Sequence, residues 1–146
     1  LNKKTILVVE DEDRMITLMQ EALEDWNSAN TANGRCFKAI PVNSIAGAAE
    51  AIYDMRVDCA IVDLRLPTGQ VGKQTSPEAG NTLATDLILK KGMPVAVVSG
   101  YPAEMDKHLT SLPINRFDKA DDGYEHALNW LGEQWTLMEA LRVWTH

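Results

Sequence analysis

Two cysteines in 146 residues are too few for a disulfide framework. Cys59 lies inside an apolar run, where a thiol serves as a small hydrophobe, so the expectation is a reducing, cytoplasmic setting. The three histidines, His108, His126 and His146, are scattered and make no metal-ligand spacing with either cysteine. Cations are outnumbered: 14 Lys and Arg face 21 Asp and Glu, a net charge of −7, which argues against non-specific nucleic-acid binding by this domain. No apolar run is long enough to span a bilayer, and the first residues lack a signal peptide's apolar region, so no membrane association is expected. The Gly72-Lys73 pair is not a phosphate-binding P-loop, because Pro67 and Gln74 stand where glycine and Ser or Thr are required. The sequence does have 45% hydrophobic and 24% charged residues, the balance of one globular domain over 1–146 with a core of its own.

That domain is organised around residues 57–67, V-D-C-A-I-V-D-L-R-L-P. Residues 59–62 are a short apolar run of the kind buried on both faces of a parallel sheet. The run ends in Asp63, and Pro67 forbids further ladder pairing. Open parallel sheets bind ligands just beyond the carboxyl ends of their strands, which is where Asp63 falls.

A second such run, 5–9, also ends in acid, Glu10-Asp11-Glu12-Asp13, and leads into a helix with Met15, Leu18, Met19, Ala22, Leu23 and Trp26 on one face. Asp13 also suits the positive end of a helix dipole. Residues 27–35 are polar and turn-rich and predict a loop. A weaker strand at 37–42 contains Pro41, which marks it as an edge. An alanine-rich helix over 44–55, capped by Ser44 or Asn43, precedes the central strand. Residues 68–79 have no periodicity and predict a loop. A helix over 81–91 turns Leu83, Leu87 and Ile88 inward and closes at Gly92. A buried strand at 94–98 then leads to Ser99 and Gly100, followed by a short helix from Pro102 to about Leu112. The last strand, 114–118, delivers Lys119, and one long helix is expected over 122–144. Strand and helix alternate five times, which predicts an α/β fold, a five-stranded parallel sheet doubly wound by helices.

Strands one, three, four and five can be neighbours in such a sheet. Their ends would gather Glu10, Asp11, Asp63, Ser99 and Lys119. Carboxylates held a few ångströms apart repel by roughly 1 to 4 kcal/mol per pair, and a hard divalent cation, Mg²⁺, resolves the conflict. With a hydroxyl and a lysine beside them, they make a site for transferring a phosphoryl group to Asp63.

These stretches resemble the receiver domain of bacterial response regulators, the CheY-like family of two-component phosphorelays. I-L-V-V-E-D-E-D looks like its first strand and acidic pair, and A-I-V-D-L-R-L-P like its phosphoacceptor strand. P-V-A-V-V-S-G looks like the fourth strand with its Ser/Thr switch, and F-D-K-A like the fifth strand with its lysine. The resemblance covers about residues 4 to 130. It implies that a histidine kinase or histidine phosphotransfer protein phosphorylates Asp63, and that Glu10, Asp11, Asp63 and the backbone carbonyl of Arg65 surround Mg²⁺. Asp11 and Asp63 would be its direct side-chain ligands. It further implies that Ser99 and Lys119 contact the phosphoryl oxygens and couple them to a switch in protein–protein interactions, with no independent enzymatic turnover. Arg65 and Tyr101 would flank the phosphoryl group and slow its hydrolysis.

Three features depart from the family. Ala120 replaces the proline that usually follows the lysine in a cis bond, and a non-proline cis peptide costs about 3 kcal/mol. Arg116 stands where an aromatic residue usually lies three places before the lysine. The loop after Pro67 is longer than usual. The first two motivate an alternative, a degenerate receiver that binds proteins without being phosphorylated. A second alternative is a haloacid-dehalogenase-like phosphatase with Asp11 as nucleophile; Asp11-Glu12-Asp13-Arg14-Met15 matches its motif in part, and Met15 breaks it. Along the last helix, Tyr124, Ala127, Leu128, Leu131, Trp135 and Met138 form one apolar stripe. Trp130, Leu137 and Trp144 form another, which points to a homodimer through this helix.

Overall fold

Five short runs pair into one sheet. The computed structural model describes residues 2–66, 77–105, 107, 109 and 112–144, and in it the strands are β1 (Asn2–Val9), β2 (Arg35–Val42), β3 (Cys59–Val62), β4 (Val95–Ser99) and β5 (Ile114–Asp118). All pair in parallel, in the order β2-β1-β3-β4-β5. The helices are α1 (Asp13–Asn30), α2 (Ile45–Asp54), α3 (Pro77–Lys91), α4 (Gly123–Glu133) and α5 (Trp135–Trp144). The expected doubly wound sheet is present, and its strand order reverses between β1 and β3, which places the crevice there.

Side chains sort by the two-residue period of the strands. Ile6, Val8, Cys59, Ile61, Ala96 and Val98 turn to the layer of α1, α4 and α5, against Met19, Leu128 and Trp135. Leu7, Val9, Ala60, Val62, Val95 and Val97 turn to the other, against Ala48, Ala51, Leu83 and Leu87 of α2 and α3. β3 is buried on both faces, as its composition predicts. β2 is an edge strand, so Pro41 removes no ladder donor that a neighbour needs.

Three expectations change. Residues 27–35 are not a loop: α1 continues to Asn30, and a 3-10 turn, Thr31–Asn33, follows. Their polar side chains bond to the backbone instead of breaking it. Asn27 brackets Phe37 of β2, donating from Nδ2 to its carbonyl at 2.9 Å and accepting its N–H at 2.8 Å, while Asn30 Nδ2 and Thr31 Oγ1 donate to carbonyls one turn back. Of the helix expected over 102–112, the described residues show a 3-10 turn, Pro102–Glu104, which ends where Met105 becomes extended, with 107 and 109 again in 3-10 conformation; residues 106, 108, 110 and 111 lie outside the described residues. Met105 and Leu109 are both buried in the layer of α2 and α3.

The single helix over 122–144 is two. At Gln134 the N–H is shared between the carbonyls of Trp130 (3.2 Å) and Leu131 (3.0 Å), and the chain restarts as α5. The interruption follows Gly132, where a Cβ would lie 2.8 Å from the Trp26 ring. It lets Trp135 stack on Trp26 at 6.2 Å and tilt against Phe37 at 5.1 Å. The first apolar stripe is buried throughout. Of the second, Trp130 turns inward onto Phe117 (6.3 Å) and Leu137 is partly exposed; the side chain of Trp144 lies outside the described residues. Most of the expected loop 68–79 also lies outside them. Among the described residues no peptide bond is cis, and no helix is long and apolar enough to cross a membrane.

Candidate functional site

The sheet's hydrogen-bond ladder runs one residue past three strands. Glu10 N–H donates to Val42 O at 3.0 Å, Asp63 N–H to Val9 O at 3.1 Å and Lys119 N–H to Ser99 O at 3.1 Å. Each of these side chains therefore leaves a fixed backbone at the carboxyl edge, beside the crevice between β1 and β3.

There they meet. Lys119 Nζ lies 2.8 Å from Asp63 Oδ2 and 2.8 Å from Glu10 Oε2, with Glu12 at 3.9 Å. Glu10 is buried; its Oε2 also accepts from Tyr124 Oη at 2.8 Å, and its Oε1 from the Glu12 N–H at 3.1 Å. Asp63 is buried too, and its Oδ1 accepts the Arg65 N–H at 3.4 Å. Burial raises the pKa of Asp63 above the usual carboxylate range, outweighing the pull of Lys119 in the other direction. For Lys119 the balance reverses: burial lowers its pKa, but the hydrogen bonds to Asp63 and Glu10 carry it above the ordinary lysine value. Tyr124 is raised by burial and by the Glu10 charge, so its phenol stays a donor.

Asp11 is exposed, and one oxygen from each of the Glu10, Asp11 and Glu12 carboxylates lies within 4.8 Å of the other two. Ser99 is fully buried, and its Oγ accepts the Tyr101 N–H at 3.0 Å. The Arg65 side chain forks onto Glu104 and lies against Tyr101. The floor under Asp63 is set by Gly80. Its N–H donates to Leu64 O at 2.9 Å, and a Cβ there would fall inside the envelope of Leu64 Cα, Leu64 O and Asp63 O. Only glycine lets α3 approach the end of β3 so closely.

Of the residues expected from the sequence, Glu10, Asp63 and Lys119 are in direct contact, and Asp11 and Ser99 occupy adjoining strand ends. Tyr124, Glu12 and Glu104 were not anticipated. Tyr124 sits in the apolar stripe of α4, which hides the use of its hydroxyl. Glu104 falls in a segment whose conformation the sequence misreads.

Glu10 and Asp63 contact the Lys119 ammonium, Glu12 lies 3.9 Å from it, and Asp11 joins Glu10 and Glu12 in one carboxylate group. Oxygen donors in excess over cations suit a hard divalent ion such as Mg²⁺, so the residues present fit the metal that the resemblance implies.

The fold is that of response regulator receiver domains. A CheY-like receiver domain from Methanospirillum hungatei JF-1 is 15% identical, with a TM-score of 0.62 over 95% of this chain and 98% of that one. The signal receiver domain of an HD domain-containing protein from Pseudomonas fluorescens Pf-5 is 17% identical, with a TM-score of 0.70 over 95% and 99%. A Thermotoga maritima response regulator in complex with Mg²⁺ and BeF is 19% identical, with a TM-score of 0.57 over 77% and 84%. No family model matches the sequence, and no curated protein does.

Proposed function

We propose that this chain is a phosphoacceptor receiver domain in which a histidine kinase or histidine phosphotransfer protein phosphorylates Asp63 in a Mg²⁺-dependent reaction. The observation that carries the reading is the Lys119 ammonium, bridging a buried strand-end Asp63 and Glu10 at 2.8 Å each. An Asp63 oxygen attacks phosphorus; the new O–P bond forms as the N–P bond to the donor imidazole breaks, and the imidazole leaves with the bonding pair. Lys119 keeps Asp63 ionised and oriented before transfer and meets the phosphoryl oxygens after it. Ser99 would donate its hydroxyl to the same oxygens by giving up its turn contact. Asp11, Asp63 and the Arg65 carbonyl would hold Mg²⁺, with Glu10 behind them, fixed by Tyr124. The bound ion supplies charge neutralisation for the phosphoryl oxygens.

The domain then acts as a signalling module rather than a turnover enzyme, within a cytoplasmic two-component system, and its output is a change in protein contacts. A second copy of the chain, docked through α5, is one such contact. Incubation with acetyl phosphate and Mg²⁺ should add one phosphoryl mass to the protein and none to Asp63→Asn, with the two sharing one circular dichroism spectrum. Equal labelling of Asp63→Asn would overturn the assignment; an unlabelled wild type would favour the degenerate receiver.

A further inference from the structure

The Arg65 side chain crosses from the end of β3 to the turn after β4. Its Nε and Nη2 donate to the two carboxylate oxygens of Glu104 at 3.2 and 2.6 Å, a bidentate fork. The guanidinium carbon lies 4.4 Å from the centroid of the Tyr101 ring, in cation–π range. Glu104 is itself pinned by backbone bonds: its N–H donates to Tyr101 O and its carbonyl accepts Asn81 Nδ2 of α3, both at 3.0 Å. At the other end, the Arg65 backbone N–H reaches Asp63, and the Tyr101 N–H reaches Ser99. The arm therefore joins the acceptor and the switch hydroxyl to a surface turn.

We infer that Glu104 is a positioning residue that holds the Arg65 guanidinium away from the acceptor, and that a phosphoryl group on Asp63 draws the guanidinium off Glu104. This rests on the phosphoacceptor reading above and adds to it the partner that sets where Arg65 points. The chemistry is a competition between two bidentate acceptors for one planar guanidinium fork, a carboxylate of charge −1 against a phosphoryl group of about −1.5 to −2. Both Arg65 and Glu104 are partly exposed, so the exchange needs no burial of a bare charge. Asp63 already adds to the field that keeps Arg65 protonated, behind the larger contribution of Glu104. When Arg65 leaves, Tyr101 loses the cation on its ring and the Pro102–Glu104 turn loses a side-chain tether. Occupancy of a buried carboxylate is thereby written onto an exposed face.

The probe is beryllofluoride with Mg²⁺, titrated into wild type, Glu104→Gln, Arg65→Ala and the double variant, while the Arg65 Nε–H resonance is followed by NMR. Releasing a partly exposed fork should tighten beryllofluoride binding about three- to fivefold in Glu104→Gln. The gain should vanish in the Arg65→Ala background, and the Nε–H resonance should shift on binding in wild type and already be displaced in Glu104→Gln. Equal affinities for wild type and Glu104→Gln, or a gain that survives Arg65→Ala, would overturn the inference and leave the phosphoacceptor reading standing. A wild type that takes up no beryllofluoride would overturn both.

Discussion

A lysine sits at each end of this sheet, fully buried at one and largely shielded from solvent at the other, and the two are balanced differently. At the carboxyl end, Lys119 is shared by Glu10 and Asp63, with Asp11 and Glu12 close by. At the amino end, Lys4 is fully buried on β1, 2.7 Å from the half-exposed Glu139 of α5 and 5.4 Å from the centroid of the Trp135 ring. Its Nζ meets Glu139 as an ion pair without hydrogen-bond geometry; Asn2 Nδ2 holds the same Glu139 oxygen at 2.6 Å. At the lower end Lys4 and Arg35 both lie over the Trp135 ring, and the carboxylates of Glu139, paired with Lys4, and of Asp58, on the Thr5 N–H, balance them. The upper end is left with surplus negative charge that only an added cation can answer. Shielding of a charge from solvent is common to both ends, so the surplus of carboxylates is what distinguishes the end proposed to accept a phosphoryl group.

Substituting each lysine should separate the two roles. Lys119→Met should slow acetyl phosphate labelling of Asp63 by about tenfold or more, since it removes the charge that receives the phosphoryl oxygens. Lys4→Met should leave labelling unchanged. Glu139→Ala should leave labelling alone as well, yet lower the unfolding free energy by about 1 to 3 kcal/mol in urea titrations. It strands a buried ammonium, though solvent at Glu139 tempers the loss. Labelling that falls in Lys4→Met as steeply as in Lys119→Met would erase the contrast.

The pH dependence sharpens it further. Because burial raises the folded pKa of Asp63, the folded state binds that proton more tightly than the unfolded chain. The stabilisation is complete below the unfolded carboxyl's ordinary value and is lost as pH rises through the folded pKa. Asp63→Asn should therefore be more stable than wild type at neutral pH, with the gap closing as pH falls through the folded pKa and gone below about 4. Chemical denaturation across pH 3 to 8 reads this directly. An Asp63→Asn protein less stable than wild type at pH 7 would mean that the Lys119 pairing outweighs the burial.

The smallest expected effect concerns α5. If its outer face carries a homodimer, Trp144→Ala should shift sedimentation toward monomer at tens of micromolar while leaving the fold intact. A monomer before and after would remove that contact from the proposal.

The strands and the upper site were legible because their signals are local. A short apolar run ending in Asp63, another ending in Glu10-Asp11 and a third delivering Lys119 need only the rule that parallel strands present their carboxyl ends together. What was missed depends on partners distant in the chain. Asn27 reads as a loop former until Phe37 of β2 lies beside it. Gln134 reads as helix interior until Gly132 must admit the Trp26 ring. Tyr124 reads as core because periodicity reports which face a residue occupies, while its hydroxyl is used by a carboxylate 114 residues earlier. Glu104 was hidden twice, by a turn mistaken for a helix and by a pairing with Arg65 that no spacing encodes.

The contact of Gly80 with the Asp63–Leu64 backbone bears on how this chain can be rebuilt. Leu66 and the start of α3 are fixed relative to each other by packing and by the Gly80 N–H bond, whatever joins them. Closing a longer connection costs only about 0.6 kcal/mol per doubling of its length. A reporter peptide or a protease recognition sequence spliced between Leu66 and Pro77 should therefore leave both anchored ends, and the Asp63 carboxylate, undisturbed.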